Sequence, residues 1–270
     1  MSQKKLEPLD VDEIQSNLNT KRIGRKVVVF NSTSSTNDIA RRYAQDKNCN
    51  GLAIFAEEQT AGKGRAGNKW LSKRSECILC SIILIDNEIN SELLSLTCAV
   101  AVADAIGKNA KIKWPNDILI NEKKVAGILL ESIAANNTHT YIMGIGINCH
   151  QSENDFPQEL HSIATSIDLE NKTICDRIRL AKRLLSSMDY WLEAAQKNPP
   201  KIIEHWCKLS IQLGHRVSLS YNKKQFSGNC IGIDPQKGLI LRLDSGGIRM
   251  FDAAHTSIIK TNKYLIEHLK

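Results

Sequence analysis

Glu58-Gln-Thr-Ala-Gly62-Lys63-Gly64-Arg65-Ala-Gly67-Asn-Lys-Trp70 is the stretch on which the fold assignment turns. Glycines at 62, 64 and 67 let backbone N–H groups approach a ligand with no Cβ in the way, while Lys63 and Arg65 bring positive charge to the same point. Such a loop suits an anion. The spacing Gly62-x-Gly64-x-x-Gly67 also satisfies the dinucleotide fingerprint, and Asp86 lies about where that fold wants its ribose carboxylate. That motif works only when a strand precedes it and a helix begins inside it. Residues 51–56 are short and apolar and read as the strand, but residues 68–75 are polar, basic and without helical periodicity. Residues 77–85 then read as a second, buried strand, so the order is strand, loop, strand and the dinucleotide fold is disfavoured. No Gly-Lys-Ser or Gly-Lys-Thr closes the run, which speaks equally against a P-loop.

The next informative stretch runs Lys111-Ile-Lys-Trp-Pro-Asn-Asp-Ile-Leu-Ile-Asn-Glu-Lys-Lys-Val-Ala-Gly-Ile-Leu-Leu-Glu131. Pro115 cannot donate to a sheet ladder and pushes Trp114 toward an extended backbone, so Trp-Pro-Asn-Asp reads as a kinked strand end. Residues 118–120 and 125–131 flank the polar turn Asn121-Glu-Lys-Lys124 and predict a hairpin that returns Lys124 toward Asn116 and Asp117. A carboxylate able to hold a divalent cation and a lysine able to neutralise an oxyanion then share one place.

At these two stretches the sequence resembles the biotin protein ligases, which make biotinyl-adenylate and pass biotin to a lysine of a carrier domain. The family's Gly-Arg-Gly-Arg-x-Gly-x-x-Trp loop stands here as Gly62-Lys-Gly-Arg-Ala-Gly-Asn-Lys-Trp70. Its Lys-Trp-Pro-Asn-Asp is residues 113–117, and its Lys-hydrophobe-Ala-Gly-Ile is residues 124–128. Ser35-Thr36-Asn37 upstream, Gly144-Ile-Gly-Ile-Asn148 downstream and a short β-rich tail fall in family order, so the resemblance spans roughly residues 26–260. Lys63 stands where the family usually has arginine: the charge is kept and the planar fork is lost, which shifts weight to Arg65.

The resemblance implies an ATP-dependent ligase with an α+β fold. It implies a mixed-sheet, class II synthetase-like catalytic domain with helices on one side, over residues 26–212, and a small SH3-like barrel over residues 213–270. Residues 1–25 would be an N-terminal extension. Ser35, Thr36, Asn37 and Gln59 would hold biotin's ring system, with Lys63, Gly64 and Arg65 of the loop against the same ligand and Gly127 leaving it room. Lys124 would contact the biotin carboxylate and the phosphate, Arg65 would share that work, and Asp117 would hold Mg²⁺. Trp70, Asn116 and Asn148 would face the adenylate, with Lys63, Arg65 and Lys124 also at the nucleotide. The implied partners are biotin, ATP and the biotin carboxyl carrier domain of a carboxylase.

Composition agrees with a cytoplasmic enzyme. The 270 residues suffice for one sizeable domain and a small one, 42% hydrophobic content can fill a core, and no run approaches a membrane span or an apolar signal region. Eight cysteines are scattered through apolar or helical contexts and suggest buried thiols. Cys77 and Cys80 form a Cys-x-x-Cys, but in a strand residues three apart face opposite sides, so a shared metal is disfavoured. The seven histidines show no ligand spacing, and His150 reads as structural.

Residues 26–30 start a strand, and Ser34-Ser-Thr-Asn-Asp38 caps a helix with apolar positions at Ile39, Ala40, Tyr43 and Ala44. Capping alone explains Ser35 and Thr36 as well as a binding role does; packing likewise competes with ligand contact at Trp70 and Trp114, and a solvated turn competes at Lys124. Residues 91–107 predict a helix with Leu94, Cys98, Ala101 and Ala105 on one face, and residues 141–148 a strand. A long amphipathic helix is predicted from Thr173 to about Ala195, its stripe from Ile174 through Leu185 to Ala195 serving the core. After a short helix with Ile203 and Trp206, strands are predicted at 215–221, 224–234, 238–242 and 248–259. Residues 215–270 carry nine Lys or Arg against four Asp or Glu, a net +5 of the chain's +7, which chance clustering and a binding role explain equally well.

Some members of the family also repress transcription through an N-terminal helix-turn-helix. Here about 25 residues precede the first predicted strand and Pro8 interrupts them, so specific DNA binding is not expected. A homodimer through a sheet edge near Trp-Pro-Asn-Asp is compatible with the sequence. The competing readings are a lipoate ligase of related fold and an inactive biotin-binding protein.

Overall fold

Two sheets organise the chain in the computed structural model, which describes residues 6–262 apart from 87, 136 and 137. The larger comprises β1 (Val27–Phe30), β2 (Ala53–Ala56), β3 (Cys77–Ile85), β4 (Lys111–Lys113), β5 (Asp117–Ile120), β6 (Lys123–Ala135) and β7 (Thr138–Asn148), in the order β1-β2-β3-β7-β6-β5-β4. β1 and β2 run parallel and the other adjacent pairs antiparallel, so the sheet is mixed. The glycine-rich loop joins β2 to antiparallel β3, the strand–loop–strand order expected.

Among the described residues six α-helices accompany it: α1 (Val11–Gln15), α2 (Thr36–Tyr43), α3 (Ser91–Ile106), α4 (Ile167–Asn171), α5 (Arg177–Lys197) and α6 (Pro199–Leu209). Strand alternation sorts the core into two faces. On β3, Ile78, Cys80, Ile82 and Leu84 join the cluster formed with α1, α3, α5 and α6, while Ile83 joins Ile54, Ile142, Leu52 and Ala40 of α2. Helices therefore cover one face as expected, except α2. Parallel β1 and β2 need a crossover over a face of the sheet, and α2 is that crossover. α3 is buried nearly all round, beyond the single predicted face, because α5 and α6 flank it above the sheet.

α5 starts four residues later than the apolar spacing predicts. Asp176 caps it by accepting from Arg179 N, and the Cys175 amide is held at 2.6 Å by Asp168 Oδ1, so Ile174 lies outside the helix and exposed. Of the rest of the stripe, Ile178 packs half-buried against the core, and Ala181, Leu185, Met188, Leu192 and Ala195 are buried in it.

Residues 6–25 do not stand apart from the large unit. Leu9, Ile14 and Ile23 are buried in its core, and the Asp189 carboxylate accepts from three successive amides, Lys21, Arg22 and Ile23, at 2.7–2.9 Å. Arg177 and Glu57 form an ion pair of 3.0 Å at 2% exposure on each side chain. Glu57 also accepts from Leu9 N, and Arg177 donates to Glu7 O, so the segment completes the partners of two buried charges. Leaving either charge unpaired costs about 3–5 kcal/mol.

The smaller sheet is antiparallel, in the order β11-β10-β9-β8-β12, from β8 (Arg216–Tyr221), β9 (Lys224–Asp234), β10 (Gly238–Leu243), β11 (Ile248–Phe251) and β12 (Thr256–Asn262). Val217, Leu219, Leu239, Leu241 and Phe251 fill it, an SH3-like layout. The single last strand predicted at 248–259 is two strands. Asp252 Oδ1 accepts from the His255 amide at 3.0 Å and closes a turn between them.

Candidate active site

A cavity of about 640 Å³ opens on the α2 face of the large sheet, roofed on one side by the glycine-rich loop and on another by the 252–258 turn of the barrel. Its floor is bare backbone. Gly127 on β6 pairs in register with Gly146 on β7, and a Cβ at Gly146 would meet the Trp70 ring at 2.4 Å. A Cβ at Gly144 would meet Asn37 Oδ1 at 2.3 Å. The Gly-Ile-Gly run thus lets an indole and an amide lie flat on the sheet.

One end of the cavity is neutral. Ser35 occupies the N-cap of α2 with no side-chain capping bond, so the hydroxyl is not engaged as a cap. Thr36 donates through N and Oγ1 to Gln59 Oε1 at 2.7 and 3.0 Å. Ser81, fully buried on β3, lies 2.7 Å from Thr36 Oγ1 and 2.6 Å from Asn37 Oδ1, and Asn37 Nδ2 donates to Glu131 at 2.7 Å. Glu131 is paired in turn with Arg41 at 2.8 Å. Capping therefore does not account for these hydroxyls: Thr36 and Ser81 belong to one network with Asn37 and Gln59, and Ser35 lines the cavity beside it.

The other end is charged. Asn121 and Glu122 both have positive φ, 47° and 69°, the two-residue turn that matches strand twist. With a register shift between Ile118 and Leu119, the hairpin brings Lys124 Nζ to 2.6 Å from Asp117 Oδ1. That contact is an ion pair without the angular geometry of a hydrogen bond. Lys124 Nζ also lies 5.7 Å from the centroid of the Trp70 ring, in reach of its negative face. Lys63 is paired with Asp38, at half exposure.

Arg65 differs from both lysines. Its guanidinium donates to Asn116 Oδ1 at 3.2 Å, to Thr256 O at 3.2 Å and to Ala253 O, all neutral acceptors. Burial pulls its pKa below the ordinary arginine value, with Asp117, Glu92 and Asp252 opposing; the group remains charged.

The cavity thus gathers Ser35, Thr36, Asn37, Gln59, Lys63, Gly64, Arg65, Trp70, Asn116, Asp117, Lys124 and Gly127. Asn148 lies outside its wall: its amide donates to Thr165 O at 2.9 Å and accepts from Gln151. Strand alternation puts Asn148 on the same face of β7 as Gly144 and Gly146, where those two neighbours hold its side chain. Trp114 is 1% exposed, with its backbone N and O both paired to Gln212, so packing dominates there. Sequence reasoning missed Ser81, Glu131 and the barrel's turn. Ser81 had a visible signal, a lone hydroxyl within the apolar run 77–85.

Residues 29–148 match the profile of the Biotin/lipoate A/B protein ligase family, which covers β1 through β7 and both motif stretches. Over 262 residues the chain is 32% identical to the bifunctional ligase/repressor BirA of Bacillus subtilis (strain 168), an alignment spanning 93% of this chain and 79% of that protein. The chain belongs to the biotin protein ligases. It is 30% identical to the biotin--[acetyl-CoA-carboxylase] ligase of Mycobacterium tuberculosis over 253 residues, 89% of this chain and 91% of that one. The biotin protein ligase from Aquifex aeolicus in complex with biotin and ATP superimposes with a TM-score of 0.75 at 26% identity, covering 87% of this chain and 98% of that chain. A biotin protein ligase thus has here a cavity with one uncharged, hydrogen-bonded end and one end of cations.

Proposed function

We propose that this biotin protein ligase activates biotin with ATP to biotinyl-5′-AMP and transfers biotin to a lysine of a biotin carboxyl carrier domain. The observation that carries the reading is the convergence of Arg65, Lys124 and Asp117 beside the uncharged recess of Ser35, Thr36, Asn37 and Gln59. A ureido ring needs fixed neutral donors and acceptors, and a carboxylate approaching a phosphate needs cations, so the two ends suit the two parts of the reaction.

In the first step a biotin carboxylate oxygen attacks the α-phosphorus and pyrophosphate leaves. Lys124 and Arg65 neutralise the oxyanions that would otherwise repel, and Lys63, once released from Asp38, adds charge from the loop. Gly127 and Gly146 let the Trp70 ring lie against the sheet, which keeps the cavity beyond it open for biotin, and Trp70 and Asn116 border the nucleotide. Mg²⁺ would be held by Asp117 together with phosphate oxygens, and would supply charge neutralisation at the polyphosphate; one or two carboxylates are the usual protein share of such a site. In the second step the carrier lysine's amine attacks the acyl carbon and AMP leaves, and the loop keeps water from the mixed anhydride until then.

The reading is of a cytoplasmic enzyme whose catalytic unit and barrel divide near residue 213, every site residue coming from one protomer. No described helix is long and apolar enough to cross a membrane. DNA binding is not part of the proposal: α1 is five residues long and buries Ile14 in the core.

Mass spectrometry of nucleotide products, after incubation with Mg²⁺-ATP and either biotin or lipoate and no carrier, tests it. Biotinyl-AMP with biotin alone is the expected result. Lipoyl-AMP instead would move the substrate to the sister branch, and neither product would leave a binding protein.

A further inference from the structure

The barrel's turn between β11 and β12 is gripped from two directions. From the sheet side, Glu92 in the first turn of α3 accepts from the Ala253 amide through Oε1 at 2.9 Å. From the cavity side, Ala253 O and Thr256 O receive the Arg65 guanidinium. Amide and carbonyl of one residue, Ala253, therefore link Glu92 to Arg65. Asp252 fixes the same turn internally, accepting from the His255 amide and ring and from Tyr221 Oη at 2.9 Å.

An acid in the first turn of a helix is ordinary, since the helix dipole favours it, but an exposed one would serve that purpose. Glu92 is 9% exposed, and its Oε2 is buried without a hydrogen-bond partner. Burial raises its pKa, with nearby Asp252 adding to the rise and the Ala253 amide, Arg65 and His255 opposing it. A buried carboxylate held at such cost in a helix buried nearly all round calls for a function that its single good hydrogen bond serves. The bond lies on the path to Arg65, which, unlike Lys63 and Lys124, pairs with no carboxylate among the described residues. Lys63 and Lys124 are oriented by direct pairing; Arg65 is oriented by carbonyls, which leaves its charge free for a ligand anion. Carbonyls on a turn aim a guanidinium only as well as the turn itself is held.

We propose that Glu92 is a positioning residue of the ligase: by holding the Ala253 amide it fixes the barrel's turn, whose carbonyls aim Arg65 into the cavity. The inference rests on the role given to Arg65 above. It makes the barrel a working part of the loop's anion grip, without requiring any barrel side chain to touch the substrates.

The test uses the full chain carrying Glu92→Met, which keeps volume and helix propensity and removes the acceptor, and Glu92→Gln, which keeps an acceptor without the charge. Amide hydrogen exchange at Ala253 without substrates reads the latch directly, and release of biotinyl-AMP, followed by labelling of free lysines, reads its effect on Arg65. Glu92→Met should speed Ala253 exchange by about tenfold or more, as expected for loss of a hydrogen bond to a charged group. It should raise adenylate leakage by a similar factor while leaving KM for biotin near that of the parent, because the neutral recess is untouched. Glu92→Gln should restore most of both. Unchanged exchange in Glu92→Met would overturn the latch, and faster exchange with parental retention would overturn the positioning role. A parent chain that forms no biotinyl-AMP would instead sink the proposed function, with the exchange arm still deciding whether Glu92 holds the turn.

Discussion

The two ends of the cavity are built on different principles. At the neutral end, Ser35, Thr36, Asn37, Gln59 and Ser81 sit on or beside α2 and β3, and apart from Ser35 they hydrogen-bond one another. At the charged end, Lys63, Arg65, Lys124 and Asp117 come from a loop and a hairpin, and the barrel's turn holds one of them. A preorganised neutral network recognises shape and hydrogen-bond pattern, each bond contributing about 1 kcal/mol net. In the proposed reaction the cations would exchange their protein partners for those of the ligand, where charge develops. The neutral end is thus a bonded network, whereas the charged end is assembled from a loop, paired strands β5 and β6, and the barrel's turn.

The largest effect that could break this division is at Lys124. Lys124→Ala should lower adenylate formation by about 10²–10³-fold, the usual loss when one oxyanion-stabilising group is removed, with little change in unfolding temperature. Pyrophosphate release from Mg²⁺-ATP and biotin measures it, and an unchanged rate would deny the charged end its chemistry. Gly144→Ala should act on binding alone. Its Cβ would stand 2.3 Å from Asn37 Oδ1, so Asn37 must shift; overpacking of about 1–3 kcal/mol predicts a biotin KM raised roughly 5- to 150-fold with kcat largely kept. A lowered kcat at unchanged KM would place the reacting atoms over the recess instead. Ser81→Ala should give the smallest change, about 1 kcal/mol or a several-fold weaker biotin affinity by calorimetry, and no change at all would mean that Thr36 and Asn37 hold their positions without it.

Much of this was legible in the chain. The glycine-rich loop was placed correctly because a polar, aperiodic stretch between two apolar runs has few alternatives. The meeting of Lys124 with Asp117 followed from a four-residue polar turn between alternating runs. What escaped was information carried by distant partners. Nothing local distinguishes Glu92 from any acid at a helix start, and its meaning lies 161 positions away at Ala253. Residues 6–25 read as charged extension because their three buried apolar side chains are spaced too widely to show a period. Asn148 fits the motif's spacing, but its bond to Thr165 depends on a partner 17 positions away. The late start of α5 likewise depends on Asp168 holding the Cys175 amide.

The ring of Trp70 lies on bare backbone, with Lys124 above it and the cavity beside it. The chain's other three tryptophans, Trp114, Trp191 and Trp206, are at most 3% exposed. Indole emission shifts with nearby charge and with access of water, so the protein carries its own optical reporter. A change in intrinsic fluorescence as biotin or ATP is titrated, if lost in Trp70→Phe and kept in Trp114→Phe, would originate at Trp70, and its stopped-flow time course would follow ligand arrival.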